Sequence, residues 1–184
     1  HRGCRGLLPE NAIPAFLKAV DLGVDTLELD TIISHDSQVV VSHDPFLNEE
    51  ICKGPSGELI PNHTIAMSDY NLYRMDWEVI KQCDCGSLGN PRFPEQQPMN
   101  VHKPLLVDVF DAVESYIAKN NKPRLKYNIE TKCKPERDNI FNPPPAEFVK
   151  LLYAVLKEKN MLKRITIQSF DIRTLQEFKR VDPS

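Results

Sequence analysis

Apolar and acidic residues alternate along Thr26-Leu27-Glu28-Leu29-Asp30-Thr31, the two-residue period of a β-strand with one buried face. Leu27 and Leu29 belong to that face, so Glu28 and Asp30 emerge together on the other. A second run, Val39-Val40-Val41-Ser42-His43, puts Val39, Val41 and His43 on one side and ends a buried strand with a histidine. Between the runs, His35-Asp36-Ser37-Gln38 reads as a turn. Upstream, Phe16, Ala19, Val20 and Leu22 follow helical spacing, and Gly23 is a natural helix stop.

Beyond Asp44 the pattern weakens. The stretch 44–99 carries Pro45, Pro55, Pro61, Pro91, Pro94 and Pro98 and reads as an irregular insertion of the kind that walls a substrate cleft. Only 68–82 has a helical period there, with Ser68 as the expected cap and Leu72, Met75, Val79 and Ile80 on the apolar side. Periodicity returns over 105–120, where Leu106, Val109, Phe110, Val113, Tyr116 and Ile117 form a helix stripe. A strand is expected over 124–132, with Asn128, Glu130 and Lys132 sharing a face. Pro144 and Pro145 then open a helix running to about 160, followed by a strand at 164–170 and a last helix at 171–180. Strands alternating with helices predict an α/β domain with a parallel sheet. Polar residues closing the strands favour a (β/α) barrel with its site at the C-terminal rim. An open doubly wound sheet is the alternative, weakened because no glycine-rich phosphate or dinucleotide signature follows a strand.

Composition narrows the function more than the fold. With 41% hydrophobic and 27% charged residues and a net charge of -3, the 184-residue chain has ordinary globular values, and the acidic balance argues against nucleic acid as a partner. No apolar stretch nears the roughly 20 residues of a membrane helix. The chain begins at His1 rather than at methionine, so the expectation is that an upstream segment was removed or not included. Together with the cysteines and prolines, that fits an exported, periplasmic or extracellular protein. The five cysteines lack zinc-site spacing, and a disulfide from Cys52 to Cys83 or Cys85 is compatible with an oxidising compartment.

The candidate chemistry resides in His1, Arg2, Glu28, Asp30, His43, Asp44, Glu130 and Lys132. Carboxylates crowded on one face repel one another unless a cation lies between them, and their oxygens are the ligands that Mg²⁺ or Ca²⁺ accepts. Two histidines can divide acid and base work near neutral pH, while Arg2 and Lys132 balance a phosphate. Singly, each has a duller explanation as a cap, a surface ion pair or a structural histidine. Recurrence at strand ends with shared parity lifts the set into the parts of a metal-assisted phosphoester hydrolase.

His1-Arg2-Gly3, Pro9-Glu10-Asn11, Ala15-Phe16, Gly23, Leu27-Glu28-Leu29-Asp30, Val41-Ser42-His43-Asp44 and Ile129-Glu130-Thr131-Lys132, with the weaker Pro104-Leu105-Leu106 and Gln168-Ser169-Phe170-Asp171, resemble the glycerophosphodiester phosphodiesterase family in order and spacing. The resemblance implies a TIM-type (β/α)8 barrel, incomplete here from the end of strand 1 to about strand 5. On this reading 1–184 is a partial barrel domain, with 44–99 inserted after the third strand. It further implies one Mg²⁺ or Ca²⁺ on Glu28, Asp30 and Glu130, His1 and His43 as general acid and base, and Arg2 and Lys132 on the phosphate. The implied reaction is hydrolysis of a glycerophosphodiester to an alcohol and glycerol 3-phosphate. An open barrel would expose a sheet edge, so self-association of the isolated chain is expected. Two alternatives carry less support: a phospholipase D-like hydrolase of lysophospholipids or sphingolipids, and a non-catalytic binder of glycerophosphate compounds.

Overall fold

A computed structural model describes residues 1–183. Helix α1 (Ile13–Asp21) ends at Gly23, whose φ of +76° suits a residue without a Cβ. Strand β1 (Thr26–Ile33) then pairs antiparallel with β2 (Val39–Val41), and parallel with β3 (Lys126–Thr131), which in turn pairs parallel with β4 (Ile165–Ser169). The sheet order is β2-β1-β3-β4.

The sheet is therefore mixed, which corrects the expectation of an all-parallel one. Parallel neighbours need a crossover connection, and residues 34–38 between β1 and β2 are far too few. They close a hairpin instead: Ser34 N–H donates to Gln38 O at 3.0 Å, Gln38 N–H donates to Ser34 Oγ at 3.0 Å, and Ser37 takes φ +63°. Strand β1 consequently runs past Thr31 to Ile33, and His43 lies beyond the end of β2.

Alternation along β1 and β3 sends Leu27, Leu29, Tyr127 and Ile129 into a core shared with α1, α4 (Leu106–Lys119) and α5 (Pro145–Glu158). Phe16, Phe110 and Phe148 are fully buried there. Helix α6 (Ile172–Val181) follows β4 and is capped by Asp171, which accepts from Arg173 N–H at 3.1 Å.

The single helix expected over 68–82 is three short turns: α2 (His63–Asp69), a 3₁₀ turn (Leu72–Arg74) and α3 (Trp77–Ile80). Asn62 and Asn71 each accept a backbone N–H with the side chain and start a new turn, and Asp76 opens the third. Ser68 lies inside α2 rather than capping a helix. Leu72 and Ile80 still reach one interior, because these turns wrap a second core built from Ile32, Val40, Phe46, Leu47, Ile51 and Ile60. A Cys52–Cys85 disulfide crosses it. The proline-rich stretch thus folds around its own apolar centre on the far side of the hairpin.

Candidate active site

Register decides which polar side chains meet. Glu28 pairs with Asn128 across the β1–β3 ladder, Asp30 with Glu130, and Glu130 with Gln168 across β3–β4. All five lie opposite the Leu27, Leu29 and Ile129 face. Glu28, Asp30 and Glu130 consequently bring one carboxylate oxygen each within 4.8 Å of one another. Glu28 and Asp30 are interior residues of β1 rather than its last ones, because the hairpin lengthens that strand.

Cations and hydrogen-bond donors surround the cluster unevenly. Lys132 Nζ is 2.5 Å from Glu130 Oε1 and 3.0 Å from Asp30 Oδ1. Arg2 Nε is 3.2 Å from Asp30 Oδ2, and its guanidinium donates to Glu10 at 2.9 Å. Asn11 donates to Asp30 Oδ2 at 2.9 Å, and Gln168 donates to Glu130 Oε2 at 3.1 Å. Glu28 Oε2 accepts Arg2 N–H at 2.6 Å and lies 3.7 Å from His1 Nε2. Even so, Glu28 Oε1 and Asp30 Oδ1 are buried without a hydrogen bond, the Lys132 contact to Asp30 being close but outside hydrogen-bonding angles. A buried anionic oxygen without a donor is costly. Two such oxygens on residues of a three-carboxylate cluster fit a divalent cation of the oxygen-seeking kind.

Electrostatics agree with that fit. Burial, reinforced by the Asp30 charge, raises the Glu28 pKa above its ordinary value. At Asp44 burial also pushes upward, but the bond from His43, the charge of that ring, the bond from Asn48 and the charge of Lys103 outweigh it and hold the carboxyl well below the usual range. His43 Nδ1 lies 2.9 Å from Asp44 Oδ1, so the residue next in sequence fixes the imidazole orientation.

The N-terminal segment reaches the cluster through tight turns rather than a strand. Gly3 N–H donates to Glu28 O at 3.3 Å, and Gly3 adopts φ +77° where a Cβ would fall 2.9 Å from Ala15. That close approach lays Arg2 and His1 beside Glu28. All eight sequence-predicted site residues therefore converge: Glu28, Asp30 and Glu130 form the cluster, Arg2 and Lys132 pair with it, His1 stands beside Glu28, and His43 and Asp44 lie on an adjoining cavity wall. Sequence reasoning gave no role to Asn11, Gln168 or Lys103. Shared parity of Gln168 with Thr166 in β4 was an available signal. Lys103 had none: it is 6% exposed, and burial lowers its pKa against the opposing charges of Glu10, Asp44 and Asp30.

Two cavities flank His43 and Asp44. The larger, about 400 Å³, is lined further by Glu130, Lys132, Lys134, Arg137 and Phe170. The smaller, about 180 Å³, is lined by Arg2, Arg5, Glu10, Asn48 and Arg92 among others.

The sequence matches the glycerophosphoryl diester phosphodiesterase family over residues 1–184. A glycerophosphodiester phosphodiesterase of Caldanaerobacter subterraneus is 32% identical over 183 residues, covering 100% of this chain and 61% of that protein. Among solved structures, one from Silicibacter pomeroyi described as a glycerophosphoryl diester phosphodiesterase superposes with a TM-score of 0.83 at 28% identity, covering all of this chain and 60% of the other. A phosphodiesterase from Oleispira antarctica, in complex with the product sn-glycerol-3-phosphate, shares the fold with a TM-score of 0.72 at 21% identity, over all of this chain and 61% of its own. The chain thus spans about three-fifths of the length of these relatives.

Proposed function

The chain belongs to the glycerophosphoryl diester phosphodiesterase family, and we propose that it acts in hydrolysis of glycerophosphodiesters to an alcohol and glycerol 3-phosphate, with one Mg²⁺ or Ca²⁺ held by Glu28, Asp30 and Glu130. The observation that carries this reading is the carboxylate cluster, one oxygen of each residue lying within 4.8 Å of the others, with Glu28 Oε1 and Asp30 Oδ1 buried without a hydrogen bond. Sequential parallel pairing of β1, β3 and β4, with the acidic face turned from the helices, supports taking the sheet as an arc of a (β/α)8 barrel and 44–99 as an insertion in it.

When bound, the cation supplies Lewis-acid polarisation of a phosphoryl oxygen. Arg2 and Lys132 border the same cluster and hold the remaining phosphate charge, Arg2 through its fork and Lys132 as a point charge. With Asp44 ionised, the His43 proton resides on Nδ1 and leaves Nε2 as the exchangeable position. His43 and His1 then serve as the acid/base pair: one accepts the proton of the oxygen attacking phosphorus, and the other returns one to the departing alkoxide. Asn11 and Gln168 orient Asp30 and Glu130 by hydrogen bonds. Hydrolysis of lysophospholipids or sphingolipids would call for an apolar bed for an acyl chain, and the larger cavity offers Phe170 as its one large apolar side chain among Asp44, Glu130, Lys132, Lys134 and Arg137.

The test is release of glycerol 3-phosphate from glycerophosphocholine in Mg²⁺, in Ca²⁺ and in chelator. Release that depends on added metal is expected. Metal-independent release, or none from folded protein, would overturn the reading.

A further inference from the structure

The larger cavity has one wall whose charges no group among the described residues neutralises. Of its charged lining, Asp44 is bonded to His43 at 2.9 Å, and Lys132 bridges Glu130 and Asp30. Lys134 and Arg137 line the same cavity, yet among the described residues neither forms an ion pair. Asp138, the acid beside them, is engaged by Arg173 at 2.7 Å.

These two cations sit in a turn that is built to hold its shape. Pro135–Arg137 is a 3₁₀ turn. Fully buried Asn142 fastens it, accepting Lys134 N–H at 3.4 Å and donating to Asp138 Oδ1 at 3.1 Å and Pro143 O at 2.9 Å. Arg137 O accepts from Phe141 N–H at 2.9 Å and Asn142 N–H at 3.2 Å, while the Arg137 guanidinium lies 5.8 Å from the Phe141 ring centre. Phe141 itself packs against the second core. A pre-formed pair of cations that lack an ion-pair partner among the described residues is suited to an anion at a cavity wall, and a planar fork beside a point charge suits a phosphate in particular.

That anion is not the scissile phosphate, because Arg2 and Lys132 already border the carboxylate cluster. Glycerol, small and polar, suits the 180 Å³ pocket, and the variable alcohol suits the 400 Å³ one. Resting on the proposed phosphodiester hydrolysis, we infer that Lys134 and Arg137 bind a second phosphate carried by the leaving alcohol, and so direct the site towards glycerophosphodiesters whose alcohol is itself phosphorylated.

Two matched substrate pairs test this: glycerophosphoglycerol against bis(glycerophospho)glycerol, and glycerophosphoinositol against its 4-phosphate. The first pair adds a diester phosphate, the second a monoester. The expected kcat/KM is about tenfold higher for the phosphate-bearing member of a pair, in line with charge-assisted contacts on a partly exposed site, and the preference declines with added salt. Substituting Lys134→Ala and Arg137→Ala together should lower kcat/KM about tenfold more for the phosphate-bearing member than for its partner, with Arg137→Lys intermediate. Lys134→Gln with Arg137→Gln repeats the measurement where the alanine variant melts low. A preference in the inositol pair alone supports a monoester-binding form of the inference. Absence of preference in both pairs, equal losses on both members, or a preference surviving the double substitution overturns it and leaves the hydrolytic reading standing. No turnover of any of the four substrates overturns the hydrolytic reading itself.

Discussion

Glu28→Gln separates the proposed metal-holding role of the cluster from its structural one. The substitution keeps the carbonyl oxygen that accepts Arg2 N–H at 2.6 Å and replaces the undonated Oε1 with an amide able to donate towards Asp30. It also removes one of three negative charges lying within 4.8 Å. At an effective dielectric of about 20, each like-charge pair at that distance repels by at least about 3 kcal/mol. Attraction to Arg2 and Lys132 offsets much of this, so the net relief without metal is on the order of 2 kcal/mol. For a domain of this size about 1 kcal/mol moves Tm by roughly 2–4 °C. In chelator the variant should therefore melt about 4–8 °C above wild type. Metal at about 100 times its Kd stabilises the wild type by about 2.7 kcal/mol, and the variant should lose most of that gain. Thermal melts with chelator and across a Ca²⁺ or Mg²⁺ titration read both effects. A variant that melts lower than wild type in chelator, or keeps the full metal shift, refutes the assignment of Glu28 as a ligand.

Other expectations follow from particular contacts. His43→Ala should lower kcat by about 10²- to 10⁴-fold with a smaller change in KM, measured by glycerol 3-phosphate release; a change confined to KM would remove His43 from proton transfer. Reduction of the Cys52–Cys85 disulfide, or Cys52→Ser with Cys85→Ser, should destabilise the domain by about 2–4 kcal/mol in urea unfolding, and an unchanged midpoint would contradict a structural role. Burial pushes the Cys83 and Cys133 thiols up to about 12, so iodoacetamide at pH 8 should label them only after denaturation. Since their folded values exceed the unfolded value of about 8.5, their stabilising contribution is complete below that pH and lost as pH rises towards 12; a Cys83→Ala, Cys133→Ala protein whose stability falls as steeply over that range would contradict it. Lys103→Met should raise metal-free Tm, because burial of the ammonium outweighs the attraction of Glu10, Asp44 and Asp30, while lowering turnover through weaker restraint of Asp44; a lowered Tm would contradict the first half.

What was legible in the sequence tracks how local the deciding physics is. Alternation of Leu27 and Leu29 with Glu28 and Asp30 identified β1 and its acidic face, because a strand's period is written in neighbouring residues. The direction of β2 was not so written: Val39, Val40 and Val41 are all buried, so their pattern is the same for either orientation, and the short 34–38 connection decides. Over 68–82 Leu72 and Ile80 are interior as expected and Met75 packs against that core, whereas Val79 is exposed, because Asn71 and Asp76 start new turns and break the helical period that would have put it inside. The site divides likewise. Ligand candidates announced themselves as acids with shared parity, whereas Asn11 reaches Asp30 from 19 residues away and Gln168 reaches Glu130 from 38. Lys103 precedes Pro104 outside any periodic element, and its burial arises wholly from tertiary packing.

The central claim is that three carboxylates hold one divalent ion where the phosphate binds. Crystals of the protein grown with Mn²⁺ and glycerol 3-phosphate, measured for anomalous scattering, test it most directly. One anomalous peak within bonding distance of Glu28, Asp30 and Glu130, with the phosphate beside it and against Arg2 and Lys132, is the predicted result. A peak elsewhere, or phosphate bound at the cluster with no metal peak, would contradict it.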